Sequence, residues 1–77
     1  MFDVSRILIN EQVKLKVENG CLCYDLDIVR LNESGFSVIA TDLSGYAESF
    51  EKEMDLEELQ EFLNSFNILE WWEVWKG

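Results

Sequence analysis

Val13, Leu15 and Val17 alternate with Lys14, Lys16 and Glu18 as far as Asn19-Gly20, and a second alternating run follows in CLCYDLDIV. A period of two marks strands with one buried face, and Asn-Gly is a preferred two-residue hairpin loop. Such a loop pairs Glu18 with Cys21 and sets Val17 opposite Leu22, Leu15 opposite Tyr24 and Val13 opposite Leu26, with Lys14 facing Asp25 on the other side. The stretch LNESGF then turns the chain into FSVIATDL, Gly35 supplying conformational freedom at the loop end. Around this turn Val29, Leu31, Phe36 and Val38 are expected on one face and Ile28 and Ile39 on the other, so one apolar side needs a cover. Ser44-Gly45 begins a third turn into YAESFE, a short strand in which Tyr46, Glu48 and Phe50 alternate with small or acidic residues.

The period changes in MDLEELQEFLNSFN. Asp55 is a helix cap with Glu58 three residues on, Met54 and Leu59 fit a hydrophobic staple, and Asn67 fits the position after the helix. Leu56, Leu59, Phe62, Leu63 and Phe66 form one apolar stripe, while Glu57, Gln60, Glu61 and Asn64 face away. The tail ILEWWEVW is short and rich in β-branched and aromatic residues, which predicts a last strand with Ile68, Glu70, Trp72 and Val74 on one face and Leu69, Trp71, Glu73 and Trp75 on the other. FDVSRILI at the start fits either a helical turn capped by Asp3 or a further strand.

Together these elements predict an α+β fold. It is a small antiparallel sheet, a three- to four-strand meander plus a C-terminal strand, covered by one amphipathic helix in the order ββββαβ. The 77 residues make a single domain, since a chain this short buries only about two-thirds of its unfolded surface and cannot divide it between two cores. A hydrophobic content of 48% with a net charge of −10 separates it from disordered acidic tails, which lack the apolar residues for a core. No run is long enough to cross a membrane, and MFDVSRILIN has an early acid and no basic segment, unlike a secretion signal. A cytoplasmic location is the expectation.

Charge is unevenly placed. Residues 1–41 hold six acids and four bases, whereas residues 42–77 hold ten acids against Lys52 and Lys76. Asp55, Glu57 and Glu58 sit at a helix N-terminus, where the macrodipole favours anions. Glu48, Glu51 and Glu53 gain nothing from it, and Glu57 and Glu61 repel each other one turn apart. The candidate partner-binding residues are therefore Asp42, Glu48, Glu51, Glu53, Glu57, Glu58 and Glu61. Such a surface repels nucleic acid and anionic lipid, so the expected partner is a basic protein surface, a nuclease or another nucleic-acid-binding protein being the apt kind. Trp71, Trp72 and Trp75 are either core or interface anchors, tryptophan being the commonest hot-spot residue, and a homodimer is a further expectation.

Catalytic chemistry finds little footing. Histidine is absent, which removes the usual general base and metal ligand and every nucleophile scheme built on it. Cys21 and Cys23 lie about 6.6 Å apart if both are on a strand, near the limit for a disulfide, and are expected as reduced thiols. Two thiolates fall short of the four ligands of a structural zinc. Asp25 and Asp27 share a strand face, and the second hairpin is expected to bring Asp42 near them. Three carboxylates suit a hard cation or acid/base work, but a solvated face partly neutralised by Lys14 is the expected reading. Asn32-Glu33-Ser34 fits a glycosylation pattern and is read as a turn.

Neither a cofactor motif nor a metal motif is present, and no enzyme activity is expected. In size and acidity the chain is similar to small phage-encoded antagonists of host nucleases, of the anti-CRISPR and anti-restriction type, a resemblance of composition and layout. It implies a non-enzymatic inhibitor that occupies a nucleic-acid-binding surface as a local nucleic-acid mimic. The alternatives are an immunity protein or antitoxin against a basic toxin, and an adaptor homodimer joined through the tryptophan-rich strand.

Overall fold

A computed structural model describes residues 4–75, with side chains from Val4 to Trp71. It contains a 3-10 turn (Val4–Arg6), strands β1 (Gln12–Glu18), β2 (Cys23–Arg30), β3 (Gly35–Asp42) and β4 (Phe50–Asp55), helix α1 (Leu56–Asn64) and strand β5 (Asn67–Trp75). The first four strands run as an antiparallel meander. Helix α1 carries the chain back across one face, so β5 pairs with β1 and the sheet order is β4-β3-β2-β1-β5. This is the α+β arrangement that the change of period predicts.

Alternation fills the core. Val13, Leu15, Val17, Tyr24, Leu26, Ile28, Phe36, Val38, Ala40 and Met54 point from the sheet toward α1, which contributes Leu59 and Leu63. Val4 and Ile7 of the N-terminal turn complete it, and the Val4 amide donates to Gln60 on α1 at 3.1 Å. Of the two readings of FDVSRILI, the helical turn is therefore the one present, while Asp3 lies outside the described residues. At the other end of the helix, Tyr24, Phe50, Phe62 and Phe66 meet at ring-centroid distances of 5.1 to 6.0 Å. These mostly edge-on contacts close the core beneath the helix C-terminus.

The first hairpin departs from its expected register. Glu18 pairs with Cys23, Val17 with Tyr24, Leu15 with Leu26 and Val13 with Ile28. Gly20 and Cys21 form the tip, because the Asn19 side chain accepts from the amides of Cys21 (3.3 Å) and Leu22 (2.9 Å) while its own amide donates to Leu22 O. Glycine thus takes the first tip position, with φ at +92°. Moving the tip by one residue moves every pair by two, which preserves the faces. Lys14 consequently faces Asp27, at 3.9 Å, and Lys16 faces Asp25.

The second hairpin corrects the expected faces. Leu31 N donates to Gly35 O, leaving a three-residue loop organised by Asn32 Oδ1, which accepts from the amides of Ser34 (3.0 Å) and Gly35 (2.8 Å). Ile28 then pairs with Val38, so Phe36 and Val38 join Ile28 inside, and Val29 and Ile39 fall on the opposite, open face. An odd-length loop decides this, since it keeps residues of equal parity on the same side.

Two further boundaries shift. The fourth strand begins at Phe50 rather than within YAES, and Tyr46 is 83% exposed in the loop before it. The helix is capped by Asp55, whose side chain accepts from the Glu58 amide at 2.7 Å, but it ends at Ser65, whose hydroxyl and amide both donate to Phe62 O. Asn67 is already in β5 and donates to Glu18 at 3.1 Å, so it is no helix terminator. The Ser65 and Phe66 amides already donate to the last helical carbonyls, Phe62 O and Leu63 O.

Candidate acidic interface along the outer strand

Strand β4 is one edge of the sheet, and the acidic run straddles it. Phe50, Lys52 and Met54 pair with Ala40, Val38 and Phe36, on the helix side. Glu51 and Glu53 alternate with them, lie opposite Ile39 and Ser37, and are exposed on the open face. The Lys52 ammonium reaches the Glu58 carboxylate on α1, which bridges strand and helix. Glu57 and Glu61 are exposed on α1, and Glu48 is exposed in the loop that leads into β4.

The seven expected partner-binding residues thus divide by what they already hold. Asp42 accepts from the hydroxyl and amide of Ser44, at 2.6 and 3.1 Å, and from the Gly45 amide at 2.9 Å. The Ser44 hydroxyl bond, with the loop amides, keeps the Asp42 carboxyl below the usual aspartate range. Glu58 holds Lys52. Glu48, Glu51, Glu53, Glu57 and Glu61 make no side-chain hydrogen bond or ion pair to the described residues. The acidic ridge therefore consists of two exposed pairs, Glu51 and Glu53 on the open face of β4 and Glu57 and Glu61 on α1, which covers the other face. Neighbours within each pair are spaced by about 6 to 7 Å, the i,i+2 strand repeat and the single helical turn.

The open face extends this surface inward. One cross-strand row runs Glu51, Ile39, Asp27, Lys14, and Ile39 is 42% exposed at its middle. Asp25 is exposed one step along β2 and faces Lys16, while Asp27 is held by Lys14 and by Gln12 at 3.1 Å. Ile39 is missing from the interface expected from sequence because that reading sets it on the face of Ile28, whereas Asp25 lies on the open face, as expected. A three-residue loop at Asn32–Ser34 places Ile39 there.

Asp42 does not join Asp25 and Asp27 as expected. It pairs in register with Tyr24, whose side chain points into the core, while Asp25 and Asp27 lie on the open face. Parity separates the three, and among the described residues no three cysteine or carboxylate side chains come together. Cys21 and Cys23 are free thiols at the first hairpin, the former exposed.

Among the tryptophans, Trp71 lies opposite Leu15 on β5 and is 55% exposed, so it is not a core residue. In backbone register Trp72 lies opposite Lys14 and Trp75 opposite Gln12, and their side chains are outside the described ones. Register shifts at Gln12/Val13 and Lys16/Val17 break the strict alternation expected for this strand. Among the described residues no helix is long and apolar enough to cross a membrane. Comparison of the chain with protein-family models, with curated proteins and with solved structures gave no match.

Proposed function

We propose that this chain is a non-enzymatic cytoplasmic inhibitor that docks the β4 ridge on a basic surface of a partner protein, of the kind that otherwise holds nucleic acid. One observation carries the reading. Glu48, Glu51, Glu53, Glu57 and Glu61 are all exposed without a side-chain partner among the described residues, while Lys52, the only base of the run, is occupied by Glu58. Only Glu57 gains from folding, through the helix N-terminus; Glu48, Glu51, Glu53 and Glu61 do not, and the mutual repulsion of the five works against the compact state. Exposed anions on an edge strand and on the helix that follows it fit a surface lined with Arg and Lys, and charge complementarity of this type speeds association and selects partners. Helix carboxylates about 6 Å apart do not reproduce the phosphate spacing of about 3.4 Å per strand along duplex DNA, so the ridge acts as a local decoy rather than a copy of a duplex.

A nuclease antagonist and an antitoxin differ only in which basic protein is bound. The test is affinity capture from the source cell with the natural chain and with a variant carrying Gln at Glu48, Glu51, Glu53, Glu57 and Glu61. A basic partner held by the natural chain, released by salt and by competing nucleic acid and lost from the variant, supports the reading. Identical capture by both chains overturns it.

A further inference from the structure

We propose that β5 is a pairing edge for a second copy of this chain, two β5 strands meeting antiparallel about a two-fold axis so that the two sheets become one. Among the described residues the sheet has two unpaired edges, β4 and β5, and they differ. The β4 edge carries Glu51, Lys52, Glu53 and Asp55 within FEKEMD, the dense charge that keeps an edge from pairing. The β5 edge is longer, has the sequence NILEWWEVW with two glutamates and no base, and exposes Leu69 and Trp71 at 52% and 55%. A long, sparsely charged edge is a template for another strand. Every ladder of this sheet is antiparallel, and an antiparallel strand can satisfy itself across a two-fold axis, which makes an isologous contact.

Charge placement selects a second copy as the occupant despite the net charge of −10. Lys16 lies opposite Glu70, and β1 and β5 together hold Lys14 and Lys16 against Glu18, Glu70 and Glu73, so this side of the sheet is close to balanced. The surplus carboxylates of the other edge, Glu51 and Glu53 on β4, lie four strand spacings or about 19 Å away, roughly twice the screening length at physiological salt. Pairing through β5 sends the two acidic ridges to opposite ends of the joined sheet, about 43 Å apart, with both α1 helices on one side. A register centred on Trp71 sets Glu70 across from Trp72 and Glu73 across from Leu69, so no glutamate meets its own copy.

Sedimentation of the full chain over a wide concentration range, with amide hydrogen exchange on the same samples, tests this. The expected result is a mass rising to twice 9.0 kDa, with protection of β5 amides rising in step and β4 amides indifferent to concentration. Leu69→Lys is expected to weaken the dimer by at least about tenfold. Glu51→Lys is expected to leave it intact, so failure of the β4 docking reading and failure of this one are distinguishable. A monomer throughout overturns the proposal, as does a dimer whose β5 amides stay unprotected. So does a dimer that persists undiminished in a folded Leu69→Lys chain; should that variant not fold, exchange on the natural chain decides.

Discussion

The Arg30 guanidinium lies over the Phe36 ring, its central carbon 5.2 Å from the ring centroid, and from there donates to four main-chain carbonyls. Two of these, Ser5 and Ile7, belong to the N-terminal turn, and two, Asn32 and Glu33, to the second hairpin loop. One side chain thereby ties the turn that buries Val4 and Ile7 to the loop that decides the faces of β2 and β3. Lysine has no planar fork with which to reach carbonyls in several directions. Arg30→Ala is expected to cost about 2 to 3 kcal/mol and Arg30→Lys somewhat less, because three of the four hydrogen bonds are exposed and water replaces much of what they contribute. Denaturant unfolding measures both. For a domain of this size the alanine change corresponds to a fall in melting temperature of about 8 °C or more.

The exposed carboxylates are expected to separate binding from stability. Glu51→Lys with Glu53→Lys should weaken partner binding by about tenfold or more and reduce its dependence on salt, because both charges face outward without an internal partner. Unfolding free energy should move by less than about 0.5 kcal/mol. Calorimetric titration beside thermal melts checks this, and equal loss of both quantities would mark the two residues as structural.

Acid should act through two other carboxyls. Glu18 accepts from Asn67 and from the Gly20 amide, and the Asn67 bond, more than the backbone one, lowers its pKa below the usual glutamate range. Asp42 is lowered by Ser44 and the loop amides. A carboxyl whose folded value is depressed contributes stability that is present above its unfolded value. That contribution disappears as pH falls through the folded value. Melting temperature of the natural chain should therefore drop below about pH 4, the ordinary carboxyl range. In a variant with Glu18→Gln and Asp42→Asn the drop should be shallower, and melts across pH compare the two.

Register in the first hairpin rests on Gly20, whose φ of +92° is reached with open space around the missing Cβ. Gly20→Ala is expected to destabilise by about 1 kcal/mol through backbone strain alone, and Gly20→Asn by less, since asparagine tolerates positive φ better. Asn19→Ala should cost a similar amount by removing the acceptor for the Cys21 and Leu22 amides. Equilibrium unfolding of the three variants orders them, and a neutral Gly20→Ala would contradict this account of the turn.

Strand and helix identity were legible in the chain because they depend on neighbours a few residues away. Val13, Leu15 and Val17 repeat at two, Leu59 and Leu63 at one helical turn, and Asp55 caps the helix through a bond to an amide three residues on. The inward face of β1 and β2 survived even the error in register, because a tip displaced by one residue moves pairs by two. What escaped depended on contacts between distant segments. Asn67 binds Glu18 from 49 positions away and starts a strand instead of ending a helix, and Lys52 takes up Glu58. Arg30 gathers carbonyls from both sides of itself.

The sequence by itself determined the elements, the buried faces of β1 and α1 and the surplus of negative charge, all of which follow from local periodicity and composition. Only the tertiary structure decided which carboxylates are already in use, which side of the sheet carries Ile39, and that β5 closes on β1 and leaves a second edge exposed. Each of these turns on loop parity or on a partner remote in the chain, and neither leaves a periodic trace.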